Sequence, residues 1–434
     1  MHKLFLPLAF AAFVIPYVSS AQPRLADHSA ADPVRTVEST GPLSLAAALA
    51  LAMRASPEIA VAAREVAALE GSVLQAGLIP NPSVSASVED TRQATRTSTV
   101  QINVPIELGG KRAARITAAE RGREAAMIDL AGKRSEIRAA VVAAFYELMT
   151  AQERLQLATA SAALAQRATT VAAKRVLAGK VSPVEETRAR VAEANVRSEL
   201  ALAASDVHRA RRRLAATWGN VAPRFEQVVD TEQSLPAVPA LEQLAQQLKQ
   251  SPNLARARIE VDRRQALARV ERSRGIPDVT LSFGAKRDEQ MGRNQAIVGV
   301  SIPLPLFDRN QGNILEALRR TDKARDELAA TEVRLESELA QAYGRLDAAR
   351  QELMLLKQEI LPGAQSAYDA TTKGFELGKF SFLEVLDAQR TFFQARSQYL
   401  RAQSETHRAA ADIDRIVGTP YAASNSITNR QENQ

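Results

Sequence analysis

At 434 residues the chain has room for two or three ordinary domains or for one long repeated architecture. Aromatics make up only 4% and alanine is plentiful, so the bulk for a large globular core is missing, and the absence of Cys excludes a disulfide framework, a Cys-based zinc site and a lipid-modified N-terminal Cys. The formal charge of +7 is spread among interspersed acids, and its one dense run, Arg209 to Arg213, falls in the last turns of a predicted helix, where cations favour the helix dipole. No aromatics or DNA-binding motif accompany that run, so no nucleic-acid partner is expected.

Residues 1–21 read as a secretory signal peptide: Lys3, an apolar run from Leu4 to Val18, then Ser19-Ser20-Ala21 for cleavage. No later segment carries about 18 uninterrupted apolar residues, so any membrane span of the exported protein is expected to be made of strands. Residues 22–42 form an irregular leader, and the first structural repeat covers 43–219. A short helix from Leu43 to Arg54 is followed by Ser56-Pro57, an N-cap with Pro at the first helical position, and helix to about Ile79.

Beyond Pro80-Asn81-Pro82 come two segments of period two. Val84, Ala86 and Val88 alternate with serines, and Val100, Ile102 and Val104 alternate with Thr99, Gln101 and Asn103, giving strands near 83–90 and 97–106. That pattern suits a strand between lipid and a wet lumen; an ordinary half-buried hairpin would show it too. From Gly110 a helical pattern of about 68 residues, roughly 100 Å long, runs to Gly179. A helix of that length does not belong to a compact globule. A second helix follows from Pro183 to Trp218.

After a connector at 220–239 the order recurs in a second repeat, 240–418. Ser251-Pro252 matches Ser56-Pro57, Ile276-Pro277 matches Ile79-Pro80, and strands near 278–287 and 295–304 match the first pair. A helix of about 65 residues is expected from Gln311 to Phe375, then a turn at 377–382 and a last helix. The turns at 178–183 and 377–382 share one device. Gly179, Lys180, Ser182 and Glu185 recur as Gly378, Lys379, Ser381 and Glu384, a Gly stop followed by a Ser-x-x-Glu capping box. Residues 419–434 read as a disordered tail.

In each repeat the pre-strand and post-turn helices together nearly equal the uninterrupted long helix. Stacked end to end beside it they make a coiled-coil-like rod, with strands at one end and turns at the other. Four strands cannot close a membrane barrel, since about eight is the smallest closed form, and open edges are not tolerated in lipid. If the strands span a membrane, the protein is an oligomer.

The segments Leu78 to Pro82, Pro105 to Arg112, Ser301 to Gly312 and Phe375 to Gln389 resemble the TolC-type outer-membrane efflux channels, and the second and third are most similar to the cobalt–zinc–cadmium branch. The resemblance covers Leu43 to Gly418. It implies a mainly α fold with a small membrane β part: long helical hairpins forming a periplasmic α-barrel, and four strands from each chain of a homotrimer closing a twelve-stranded barrel in outer-membrane lipid. It also implies a periplasmic adaptor at the hairpin turns, an inner-membrane resistance–nodulation–division pump that supplies the energy, and divalent heavy-metal cations as cargo. A duct for drugs or secreted proteins is the alternative within this class. A soluble periplasmic coiled-coil adaptor or scaffold is the alternative outside it.

Site residues follow from the same resemblance. Glu384 and Asp387 lie one turn apart on one helix face and match the acids that narrow the family's periplasmic entrance, where a carboxylate ring attracts cations. Acids belong in a first helical turn anyway, and the capping box already accounts for Glu384, which leaves Asp387 as the favoured gate residue. Arg188 holds the position of Asp387 in the first repeat and is expected to lock the gate by pairing with an acid of a neighbouring hairpin. An ordinary exposed pair is the plainer reading. Gly179, Lys180, Ser182, Gly378, Lys379 and Ser381 form the adaptor-docking tips, and helix capping explains the same residues.

His208 and His407 occupy equivalent places, and neutral imidazole suits zinc or cobalt, but neither has a second ligand at i+3 or i+4. Helix packing is their expected role. No phosphate-cradling loop, nucleophile elbow or His-Glu-x-x-His motif is present, so neither an enzyme nor a cofactor is expected.

Overall fold

Two runs of helix joined through one four-stranded sheet make up the chain. The computed structural model describes residue 38 and residues 40–229, 239–377, 379–380 and 382–418, all within the unit Thr36–Gln434. The expected signal peptide, nearly all of the leader, residues 230–238 of the connector and the expected tail lie outside the described residues. The first repeat contains β1 (Leu43–Ser44), α1 (Leu45–Ala55), α2 (Pro57–Ala76), β2 (Ser83–Glu89), β3 (Thr97–Ile106), α3 (Lys111–Leu177) and α4 (Pro183–Ala216). After β4 (Val228–Val229) come α5 (Leu241–Leu248), α6 (Pro252–Arg274), β5 (Val279–Asp288), β6 (Arg293–Ser301), α7 (Gln311–Leu355), α8 (Leu361–Glu376) and α9 (Phe382–Val417).

Helix α3 is the spine. It packs against α2 and α4 on one side and against α6 and α9 on the other, while α7 and α8 lie beyond α6 and α9. The shorter helices meet end to end through a Gly–Pro joint that occurs in both repeats. At the end of α4, Gly219 has φ 78 and approaches Pro57 so closely that a Cβ would lie 2.8 Å from the proline Cγ. Gly418, with φ 84, abuts Pro252 in the same way at the end of α9. A side chain at either glycine would push the two helices apart.

The core is strung along the spine. Ile137, Val141, Phe145 and Leu148 of α3 are buried with Val207 and Leu214 of α4, and Trp218 and Phe225 close the cluster. Leu335, Leu339 and Leu346 of α7 are buried with Ile413 and Ile416 of α9. The stretch Leu45–Ala76 has the length and hydropathy of a membrane span, yet Ser56-Pro57 breaks it into α1 and α2, which pack on α3.

Two features depart from the expectations above. The long helix of the second repeat is not uninterrupted: residues Leu356–Ile360 form a π-helical turn, with Leu361 N donating to Leu356 O. Pro362 is the physical cause, because in a regular α-helix its ring would collide with the carbonyl four residues back, and the wider turn moves that carbonyl away. The second feature is order at the end of the leader. Glu38 is buried and accepts hydrogen bonds from Trp218 Nε1 (3.3 Å), Asn220 Nδ2 (2.7 Å) and Arg224 N (2.8 Å), and β1 pairs in parallel with β4. Burial pushes the Glu38 carboxyl up, but these hydrogen bonds outweigh it and hold the group below its ordinary range.

Candidate functional site

The sheet order is β2-β3-β5-β6, antiparallel throughout, which leaves β2 and β6 as free edges. Register sorts its side chains into two faces. Val84 and Ala86 pair with Ile102 and Val100, Val88 facing Ser98; Val100, Ile102 and Val104 pair with Ala285, Phe283 and Leu281, and these in turn with Ala296, Val298 and Val300. The opposite face carries Ser83, Ser85, Ser87, Thr99, Gln101, Asn103, Ser282 and Gln295, with Ile297 as an apolar exception. Asn103 ties that face together, donating to Ser85 Oγ at 3.1 Å and accepting from Ser282 Oγ at 2.7 Å. The apolar face is solvent-facing in the single chain, Val84, Val100, Phe283 and Val298 all being exposed. One exposed apolar face and one wet, hydrogen-bonded face are what a strand wall between lipid and a lumen needs.

At the helix end of the sheet an ion-pair cluster fixes the turn from β3 into α3. Lys111 Nζ lies 2.6 Å from Asp278 Oδ1, which also accepts from Leu108 N at 3.1 Å. Arg115 grips both oxygens of Glu107 and donates to Leu78 O at 3.1 Å. The Arg115 hydrogen bonds hold the Glu107 carboxyl below its usual range. Burial pushes Asp278 up, but Lys111 and the Leu108 N–H outweigh it and lower it. The Pro105 to Arg112 stretch thus works as a brace between sheet and helix.

At the other end lie the hairpin turns. In the first, Gly179 takes φ 64, and its N–H and that of Lys180 close on Val176 O and Arg175 O, each at 2.9 Å, ending α3. Ser182 starts α4 by accepting from Val184 N at 3.3 Å, with Pro183 in the first turn. Glu185 does not reach back as the capping box expects; its carboxylate lies 3.5 Å from Arg188 Nη1 in its own helix. In the second turn Gly378 and Ser381 lie outside the described residues, while Lys379 N donates to Gly374 O at 2.8 Å. Phe380 folds onto Gly374, where any Cβ would strike its ring. The Arg175 guanidinium stands 5.6 Å above the Phe375 ring and links the ends of α3 and α8.

Glu384 and Asp387 are both exposed near the start of α9. Within one chain no ion pair joins Arg188 to Asp387 among the described residues. The two histidines, equivalent in sequence, have different surroundings. His208 is exposed on α4, whereas His407 is buried with its ring stacked on Tyr146 at 3.7 Å. His407 sits on the face of α9 that packs on α3, where Tyr146 covers it. Among the described residues no cluster of His, Asp and Glu gathers metal ligands around either.

A helical spine with paired hairpins and a two-faced sheet with free edges define a channel-forming class of outer-membrane protein. The sequence profile of the outer membrane efflux protein family matches residues 48–220 and again 244–419, and the chain belongs to that family. It is an outer-membrane efflux protein whose helices extend into the periplasm. It is 51% identical to the cobalt-zinc-cadmium resistance protein CzcC of Cupriavidus metallidurans over 419 residues, 96% of this chain and 100% of that protein. It is 32% identical to the nickel-cobalt-cadmium resistance protein NccC of Alcaligenes xylosoxydans xylosoxydans over 69% of this chain and 68% of that protein. The outer membrane channel CmeC of Campylobacter jejuni has the same fold, with a TM-score of 0.73 over 88% of each chain at 15% identity.

Proposed function

We propose that this chain is the outer-membrane duct of a tripartite efflux system and that its cargo is divalent heavy-metal cations. The observation that carries the metal reading is the 51% identity that runs the full length of a protein named for cobalt, zinc and cadmium resistance. Three copies would join β6 of one to β2 of the next, closing twelve strands with no free edge in lipid. The energy would come from an inner-membrane pump of the resistance–nodulation–division type, reached through a periplasmic adaptor that reads the turns at Gly179, Lys180, Ser182, Gly378, Lys379 and Ser381.

At those turns Asp387 and Glu384 of three copies would make a carboxylate ring. Such a ring concentrates cations at the entrance, and its internal repulsion favours opening. Arg188 could lock the ring only by leaving Glu185, an exposed pair worth about 0–1 kcal/mol, so the exchange is cheap. Exposure of Glu384 and Asp387 supports this assignment.

Growth of a deletion strain and its complemented parent across graded zinc, cobalt, cadmium, nickel and copper, beside a dye and detergent panel, tests the cargo. Metal sensitivity restored by the wild-type chain, with normal dye tolerance, is the expected result. Sensitivity to dyes alone would overturn the metal reading and leave the duct.

A further inference from the structure

Inside one chain, the segment that leaves the first hairpin docks on the helix end that enters the second. Leu108 and Lys111 hold Asp278, and Gly109 lies against Ile276, where a Cβ would stand 2.7 Å from Cδ1. Helix α6, which ends there, is covered on two sides, by α3 and by α7. The second hairpin repeats the outgoing segment but finds no successor in its own chain. Ile302-Pro303-Leu304-Pro305-Leu306 follows the order Val104-Pro105-Ile106-Glu107-Leu108, and Asn310 (φ 61) precedes α7 as Gly110 (φ 71) precedes α3. The interval from Leu306 to Asn310 is longer than that from Leu108 to Gly110, and Phe307 falls in the extension. Leu304 is 76% exposed and Phe307 90%.

At the opposite edge the receiving segment stands uncovered. Ile79-Pro80-Asn81 repeats Ile276-Pro277-Asp278, yet Ile79 is 70% exposed against 45% for Ile276. Helix α2 is covered by α3 on one side only, leaving Val61 and Leu74 in the open. Beneath Ile79 and Pro80 lies an open recess of about 710 Å³, bounded on α2 by Ala68, Gly71, Ser72 and Gln75. The two unpartnered segments also stand at one level. Ser83 pairs with Asn103, Ile106 with Val279 and Thr280 with Ser301, so both leave the same end of the sheet at its two free edges.

We propose that the Leu304–Phe307 segment of each copy docks on Ile79 and the α2 recess of the next copy, so that the joint between chains repeats the joint within one. The inference rests on the homotrimer reading and adds to it the residues that fasten the ring. A head-to-tail contact of this kind closes when its rotation closes. Within the joint Asn81 takes the place of Asp278, so apolar contact replaces the ion pair, and the extra Phe307 supplies the bulk.

The test places the photo-crosslinking amino acid benzoylphenylalanine at position 307 of the full chain in the membrane, co-expressed with a copy carrying a distinguishing tag. Expected is a covalent adduct between copies that maps to residues 57–80. Gly71→Trp fills the recess from an open position, with nothing within 4 Å of its Cβ, and is expected to abolish the adduct. Native mass spectrometry of the purified protein separates the two ways to fail. A three-copy mass with the adduct on lipid, on another segment, or missing overturns the joint alone. A single-copy mass overturns the trimer and the joint together.

Discussion

Gly109 and Gly110 are neighbours with nearly the same backbone, φ 69 and φ 71, but different surroundings. A Cβ on Gly109 would lie 2.7 Å from Ile276 Cδ1 and 2.9 Å from its Cβ; one on Gly110 would meet nothing within 4 Å. Gly110→Ala therefore carries only the left-handed backbone penalty, about 1–2 kcal/mol. Gly109→Ala carries that penalty and an overpacking cost of about 1–3 kcal/mol, for a total of roughly 2–5 kcal/mol. In an Ile276→Ala background the Cδ1 contact is gone while the Cβ contact stays, so Gly109→Ala becomes cheaper by about 1 kcal/mol. Guanidinium unfolding of the detergent-solubilised protein, followed by far-UV circular dichroism, gives the three differences. Equal losses for the two glycine variants, or no coupling between positions 109 and 276, would refute the reading of this turn as a packed joint.

Arg115→Ala is expected to lose about 1.5–3 kcal/mol at neutral pH, because Glu107 gives up charge-assisted hydrogen bonds. Glu107 and Asp278 are both held below their ordinary values, so their stabilisation is present above pH ~4 and fades as pH falls through the lowered values; a stability titration should show the variant and wild type converging in acid. Pro362→Ala removes the cause of the π-helical turn, and a structure of the variant should show regular α-helix through 356–360; a persistent turn would give it another origin. Phe145→Ala, at a fully buried position that packs edge-on to Tyr146 at 5.5 Å, should cost about 3–5 kcal/mol in the same unfolding assay. Asp387→Asn should lower cation preference in single-channel recordings without changing stability by more than about 0.5 kcal/mol, since it is an exposed surface position.

The mainly helical channel fold was legible because its signals are local. Period-two alternation at Val84 to Val88 and Val100 to Val104, Pro after Ser at 57 and 252, and the glycine stop at 179 each need only a few neighbouring residues to act. Pro362 was equally visible, but its consequence was not: a proline within a helix breaks, kinks or widens it according to how firmly the two sides are held, and α7, α8 and α9 hold them. Glu38 carried no signal, since a carboxylate in a polar leader is ordinary until Trp218, Asn220 and Arg224 are brought around it.

Sequence alone determined the duplication, the order of elements and the sorting of strand side chains into an apolar and a polar face, because backbone periodicity follows from residue type. Tertiary structure alone decided which equivalent positions differ. His407 is buried against Tyr146 while His208 is exposed, Ile276 is partly covered by its own chain while Ile79 is open, and Arg188 turns to Glu185. The physical reason is shared. In an open chain of two repeats the second repeat packs on the first, but the outer sides of both lack that neighbour, so identical sequence signals meet different surroundings.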